Sequence, residues 1–124
     1  MGRTEADWVG PAEDAGGFEK ELSHLDTLIH QPKRLSILAA LEPRGEANFA
    51  LLRRITGITE GNLGTHLQRL EEAGLVELQK RFVDRKPQTT ATLTKEGRAA
   101  ITEYLDQTQS VLTRWKRRRG RTDQ

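Results

Sequence analysis

The residues best equipped to recognise something lie between Gly57 and Gly74, in the run Gly-Ile-Thr-Glu-Gly-Asn-Leu-Gly-Thr-His-Leu-Gln-Arg-Leu-Glu-Glu-Ala-Gly. Leu63, Leu67 and Leu70 recur at i, i+4 and i+7, so on a helix they form a single apolar stripe that must be covered. The opposite side then carries Glu60, Gly61, Asn62, Gly64, Thr65, Gln68 and Arg69. These side chains are small or hydrogen-bonding, with one base among them, and their chemistry is recognition rather than bond making. Each glycine inside a helix costs about 1 kcal/mol relative to alanine. A face that must let a phosphate or a base edge come close would reward that cost, because it removes the side chains that stand in the way. The plain alternative is a first helical turn in which glycine does little harm.

No catalytic constellation accompanies this face. His24, His30 and His66 are the histidines of the chain, and on a helix His24 and His30 lie about 240° apart, poor geometry for a shared metal. Glu71 and Glu72 are adjacent, point apart and read as a solvated face. Neither a phosphate-binding glycine loop nor a nucleophile motif is present. The expectation is a protein that is not an enzyme, with no metal and no cofactor.

The elements that position the polar face are marked in the chain. Thr59 is placed to cap the first turn with its hydroxyl, Ile58 to pack on Leu63 as a hydrophobic staple, and Gly74 to end the helix in the left-handed conformation. Upstream, Asn48 is a good N-cap for a short amphipathic helix, Phe49 to Arg54 with Leu51, Leu52 and Ile55, ended by Gly57. Two helices joined by a short turn containing glycine describe a helix-turn-helix, whose second helix enters the major groove of DNA. Downstream, Leu75–Phe82 and Gln88–Leu93 read as strands around a polar, basic tip, Val83-Asp84-Arg85-Lys86-Pro87. There Val76 and Leu78 alternate with Glu77 and Gln79, and Ala91 and Leu93 with Thr90 and Thr92. Arg81, Arg85 and Lys86 bring three bases together at that tip. A helix-turn-helix followed by a basic hairpin is a winged helix, so the fold class expected is mainly α with a small β-hairpin (α+β).

Composition fits one small domain. The chain has 124 residues, 35% hydrophobic and 31% charged, with no cysteine and therefore no disulfide framework or thiolate metal site; a cytoplasmic protein is the expectation. No apolar run approaches the roughly 18 residues needed to cross a bilayer. The formal net charge of +2 conceals an asymmetry: residues 1–26 hold seven acids against Arg3 and Lys20, leaving eleven acids and eighteen bases in the remainder. The part containing the candidate reader is basic, which favours a polyanionic partner.

The ends complete the layout. Residues 1–17 mix Gly10, Pro11, Gly16 and Gly17 with acids and read as a disordered acidic tail, with Trp8 and Val9 its apolar exceptions. From Phe18 a helical pattern, Leu22, Leu25, Leu28 and Ile29 on one face, is expected to run to Gln31. Pro32 then breaks it and opens a second helix, Pro32–Leu41, with Leu35, Leu38 and Leu41 on its buried side and Ile37 beside them. Glu42–Glu46 forms a turn, and Ala47 adds a short strand beside the hairpin. Thr94 caps a last helix, Lys95 to about Arg118, in which Ile101, Tyr104, Leu105, Val111, Leu112 and Trp115 keep a spacing near 3.5 residues with Thr108 in the gap. A small domain has nothing to cover the far half of such a helix. The expectation is a homodimer through the first and last helices, with Leu22, Leu25, Ile29, Ile101, Tyr104, Leu105, Thr108, Val111, Leu112 and Trp115 at the interface. The folded domain then spans 18–118, and 119–124 forms a basic tail.

Several motifs in order carry a family resemblance: Leu28-Ile29-His30-Gln31-Pro32-Lys33-Arg34-Leu35-Ser36-Ile37-Leu38, Gly61-Asn62-Leu63-Gly64-Thr65-His66-Leu67, Leu70-Glu71-Glu72-Ala73-Gly74-Leu75-Val76, and Arg85-Lys86-Pro87 with Leu93-Thr94-Lys95-Glu96-Gly97-Arg98. From Leu25 to Tyr104 the chain resembles the short bacterial and archaeal winged-helix transcriptional regulators of the MarR/ArsR-like families. The absence of cysteine sets it apart from the metal-sensing ArsR proteins. The resemblance implies a dimeric regulator, expected to be a repressor, that binds double-stranded DNA; two reading helices in successive major grooves would make the operator a near palindrome. The resemblance also implies that Gly61 to Arg69 lie on the groove-reading helix and Arg85 and Lys86 in the wing; with the reading of the residues themselves, the expected DNA-binding set is Thr59, Gly61, Asn62, Gly64, Thr65, Gln68, Arg69, Arg81, Arg85 and Lys86. A small-molecule effector is left open. The competing expectation is a winged helix used for protein contact without DNA; the polar reader face, with no aromatic anchor, argues against it.

Overall fold

The computed structural model describes the backbone of residues 19, 20, 22 and 25–123, and side chains among these as far as Gly120. The expected acidic tail, with Trp8 and Val9, lies outside the described residues, as does His24. Two compact units make up the chain, Leu28–Thr102 and the pair of segments Met1–Thr27 and Glu103–Gln124.

The first unit is a winged helix. In chain order it holds helix α1 (Pro32–Leu41), strand β1 (Glu46–Asn48), helix α2 (Phe49–Thr56), helix α3 (Glu60–Glu72), strands β2 (Val76–Val83) and β3 (Lys86–Leu93), and the start of helix α4 (Lys95–Asp123). Each boundary has a local cause. Gln31 caps α1, its side-chain oxygen accepting from the Arg34 N–H at 2.8 Å, and Pro32 occupies the first turn, where a missing N–H costs nothing. Asn48 caps α2 by accepting from Leu51 N–H at 2.8 Å, and Gly57 ends it at φ +73°. Helix α3 closes in a Schellman motif: Gly74, at φ +79°, donates to Glu71 O, and Leu75 donates to Leu70 O.

The sheet is antiparallel in the order β1-β3-β2. The short strand expected at Ala47 is present as β1, paired with Thr90–Thr92 of β3. Ala47, Val76, Ala91 and Leu93 are buried on one side of the sheet, together with Ile37, Leu38 and Leu41 from α1, Leu52 from α2 and Leu63, Leu67 and Leu70 from α3. Leu35, expected among them, is half-buried. The nine largest fully buried side chains are Ile, Leu or Val, so this core rests on aliphatic packing at roughly 1.5–3 kcal/mol per buried side chain before the entropy of ordering is subtracted.

Two expectations need correcting. The helix read from Phe18 to Gln31 does not persist: Glu19, Lys20 and Leu22 are helical, but the chain bends at Leu25 and turns through Thr27–Ile29. Pro32 acts only at the end of this stretch. A residue before proline is pushed out of the helical region, and Gln31 sits at φ −150°, ψ 124°. Its N–H donates to Ile29 O at 2.7 Å, so the apolar spacing of Leu28 and Ile29 belongs to a turn. The hairpin also differs. The strands run on to Val83 and Lys86, leaving a turn of Asp84 and Arg85 alone, both at positive φ (52° and 66°). That is a type I′ turn made without glycine.

The second unit is described only in part. It includes α4 from Glu103 onward, which continues through Asp123, past Arg118 and along the residues expected as a basic tail. Tyr104, Leu25 and Arg118 are buried there, whereas Leu22, Leu105, Leu112 and Trp115 are exposed.

Candidate nucleic-acid interface

Helix α3 presents its two sides as its sequence implies. Leu63, Leu67 and Leu70 turn inward to α1 and β2, fully buried. Thr59, Glu60, Gly61, Asn62, Thr65, Gln68 and Arg69 are exposed, and Gly64 is half-buried. A methyl group built onto Gly61 or Gly64 meets nothing within 4 Å. Neither glycine is at positive φ, so nothing inside the molecule requires glycine at these two positions.

The flanks of α3 differ. On one, Arg34 of α1 approaches: its Nη1 lies 3.2 Å from His66 Nδ1, while its Nε donates to Leu28 O. Guanidinium nitrogens only donate, so Nδ1 accepts and the imidazole is neutral with its proton on Nε2. Burial, followed by the charges of Arg34, Lys33 and Arg69, holds the His66 pKa below its usual value. On the other flank Glu71 Oε2 accepts from the Leu78 N–H of β2 at 3.1 Å. Glu71 thus anchors the hairpin while remaining exposed, as Glu72 does.

Local bonds modify the expected roles. Thr59 is the N-cap residue of α3 and its carbonyl accepts from Leu63 N–H at 2.8 Å, but its side chain makes no capping bond; the exposed hydroxyl is left facing outward. The Thr65 hydroxyl donates to Gly61 O at 3.1 Å, so toward a partner it offers its lone pairs. Ile58 and Leu63, the expected staple, are both buried.

In the hairpin, opposite residues share a side. Val76/Leu93 and Leu78/Ala91 continue outward as Lys80/Thr89 and Phe82/Pro87, on the core side of the sheet. Arg81/Gln88 and Val83/Lys86 occupy the other side, and Arg81 Nη2 donates to Gln79 Oε1 at 2.7 Å. Arg81, Arg85 and Lys86 are all exposed. The three expected cations do share the tip, two on the outer side and Arg85 in the turn. Phe82, 79% exposed, was not among the expected residues. Its signal in the sequence is that it keeps the inward parity of Val76 and Leu78 beyond the reach of the core.

A family model described as a winged helix DNA-binding domain matches residues 33–112. The chain belongs to that family. Within it, the chain is 36% identical over 72 residues to the uncharacterized protein MJ0432 of Methanocaldococcus jannaschii, covering 58% of this chain and 78% of that one. It is 35% identical over 69 residues to the HTH-type transcriptional regulator YgaV of Escherichia coli, covering 56% of this chain and 63% of YgaV. Among solved structures, a transcriptional regulator homologue from Pyrococcus horikoshii matches with a TM-score of 0.70 and 31% identity over 76% of this chain and 95% of that one. This winged-helix protein is accordingly a DNA-binding transcriptional regulator, and the resemblance to the MarR/ArsR-like families stands. Among the described residues no group of acids and histidines is placed to hold a metal ion, and no helix is long and apolar enough to cross a membrane.

The expected dimer residues divide. Leu25, Ile29, Ile101 and Tyr104 are already buried within the chain, and Val111 is half-buried. The Thr108 hydroxyl is buried with no hydrogen-bond partner among the described residues. Leu22, Leu105, Leu112 and Trp115 are exposed apolar side chains still to be covered.

Proposed function

We propose that the protein is a homodimeric repressor that reads a near-palindromic operator, acting in the cytoplasm. Its folded domain would span 18–118, between an acidic tail (1–17) and a basic one (119–124). One α3 per protomer enters each of two successive major grooves, about 34–36 Å apart on one side of the duplex. The observation that carries the reading is the exposed polar side of α3, with two glycines for which the chain has no internal use. Asn62, Gln68 and Arg69 are assigned to base edges, and Thr59 and Thr65 to the phosphate register. Gly61 and Gly64 allow close approach, while Arg81, Arg85 and Lys86 serve the backbone beside the groove. Leu22, Leu105, Leu112 and Trp115 support the dimer by their exposure; Leu25, Ile29, Ile101 and Tyr104 then back that seam from within.

Selection of bound duplexes from a random pool, with the mass of the complex measured by sedimentation, tests this. Enrichment of a palindrome bound by two chains is expected. Arg69→Ala then weakens binding roughly 10- to 100-fold and relaxes one position of the site. The pair Arg85→Ala with Lys86→Ala lowers affinity for all duplexes and reduces the salt slope by about 2. A pool without enrichment would favour the protein-contact alternative. One chain on a half-site would remove the dimer.

A further inference from the structure

The wing carries an apolar element among its cations. Beyond the Gln79/Thr90 rung strands β2 and β3 pair with each other alone, since β1 reaches β3 only at Thr90–Thr92. On this outer ribbon Phe82 stands opposite Pro87. Directly opposed side chains on an antiparallel pair have Cβ atoms about 4.5–5.5 Å apart, so ring and pyrrolidine form one patch. The patch lies on the core side of the sheet, the side that carries α3, yet Phe82 is 79% exposed. Lys80 shares that side two rungs inward, Arg85 occupies the turn, and Arg81 and Lys86 lie on the reverse; Asp84 is the one acid from Lys80 to Pro87.

Charge selects the occupant. A patch of two residues is far below the area of a stable protein interface, and the wing of a second copy would bring like charges against these. A duplex satisfies both halves of the surface. The walls of its minor groove are deoxyribose rings, which are apolar, and they run between rows of phosphates. Phenylalanine and proline are among the side chains that proteins press into that groove.

We propose that Phe82, backed by Pro87, packs on the deoxyribose wall of the minor groove next to the α3 site, with Lys80 and Arg85 on the bordering phosphates. The apolar contact adds affinity that salt does not screen and fixes how far the wing enters. The inference rests on the DNA-binding reading given above.

Duplexes enriched by the parent protein are the probe. Phe82→Ala is expected to weaken binding about tenfold, the effect of withdrawing part of an aromatic ring from apolar contact. The slope of log Kd against log salt stays unchanged, and Phe82→Leu retains most of the affinity. Lys80→Ala instead lowers that slope by about 1. Hydroxyl-radical cleavage, which attacks deoxyribose from the minor groove, should show protection beside the α3 site with the parent and loss of it with Phe82→Ala. If the parent enriches duplexes and Phe82→Ala binds them as tightly, with the same protection, the assignment is overturned while the DNA reading survives. A change in the mass of the free protein on Phe82→Ala overturns it too, assigning the ring to a contact between copies. A parent that enriches nothing ends both readings.

Discussion

Glycine does opposite things in α3 and at the start of α4. At Gly97 a methyl group would lie 2.2 Å from Leu75 O and 2.8 Å from Leu93 Cδ1. That carbonyl cannot retreat easily, because Thr94 bonds it through both its N–H, at 3.0 Å, and its hydroxyl, at 2.9 Å. Gly97 is therefore required from within, where the first turn of α4 presses on the end of the α3–β2 connection. At Gly61 and Gly64 the space is empty. For a glycine with no internal neighbour, in a helix that would be steadier with alanine, the proposed reason lies outside the molecule, in the approach of DNA. The contrast separates a glycine that the domain requires from glycines that it leaves open, and the proposed interface draws on the second kind.

The largest effect expected from this contrast is at Gly97. Gly97→Ala forces backbone or Leu93 to move, at a cost of about 3 kcal/mol or more, or on the order of 15 °C in melting temperature for a domain of this size. Any loss of DNA binding should vanish under conditions where the variant is folded. An unchanged melting temperature would show that the first turn of α4 adapts, and the contrast would fail on its inner side.

Gly61→Ala and Gly64→Ala test the outer side, with opposite signs in two measurements. Each should raise the unfolding free energy by roughly 0.5–1 kcal/mol, from helix propensity alone. Each should also weaken binding to an enriched duplex, Gly64→Ala on the flank toward β2 and Gly61→Ala at the centre of the exposed side. Greater stability with undiminished binding would return these glycines to the status of harmless first-turn residues.

How far such distinctions can be read from the chain depends on whether their cause is local. Helix α3 was legible because its stripe of Leu63, Leu67 and Leu70 and its terminator Gly74 are local signals, and both behave as expected. The helix-turn-helix followed from Asn48 and Gly57 in the same way. The spacing of Leu25, Leu28 and Ile29 suits a helix, and Pro32 constrains Gln31 alone, so no local signal in the sequence marks the bend at Leu25. The wing was found but its turn was not, since Asp84 and Arg85 lack the glycine that announces a type I′ turn; left-handed conformation at such residues costs on the order of 1 kcal/mol each. Gly97 could not be assigned a role from sequence at all, because its neighbour Leu75 is brought to it only by the fold.

The smallest effect sharpens the contrast, because His66 belongs to both sides: it lies on the recognition helix and is held by Arg34 from α1. Its pKa is lowered in the folded protein, first by burial and then by Arg34, Lys33 and Arg69, against about 6.5 in the unfolded chain. Between those values the unfolded state binds more protons, so the stability that His66 contributes is present above pH 6.5 and lost as pH falls through the folded value. His66→Gln keeps an acceptor for Arg34 without the titration. Urea midpoints measured in steps below pH 6.5 should fall less for this variant than for the parent, and the parent's His66 ring resonances should titrate below the usual range. Identical pH profiles would mean that Arg34 does not hold the neutral ring, and that this flank of α3 is free to turn outward with the rest of the reading face.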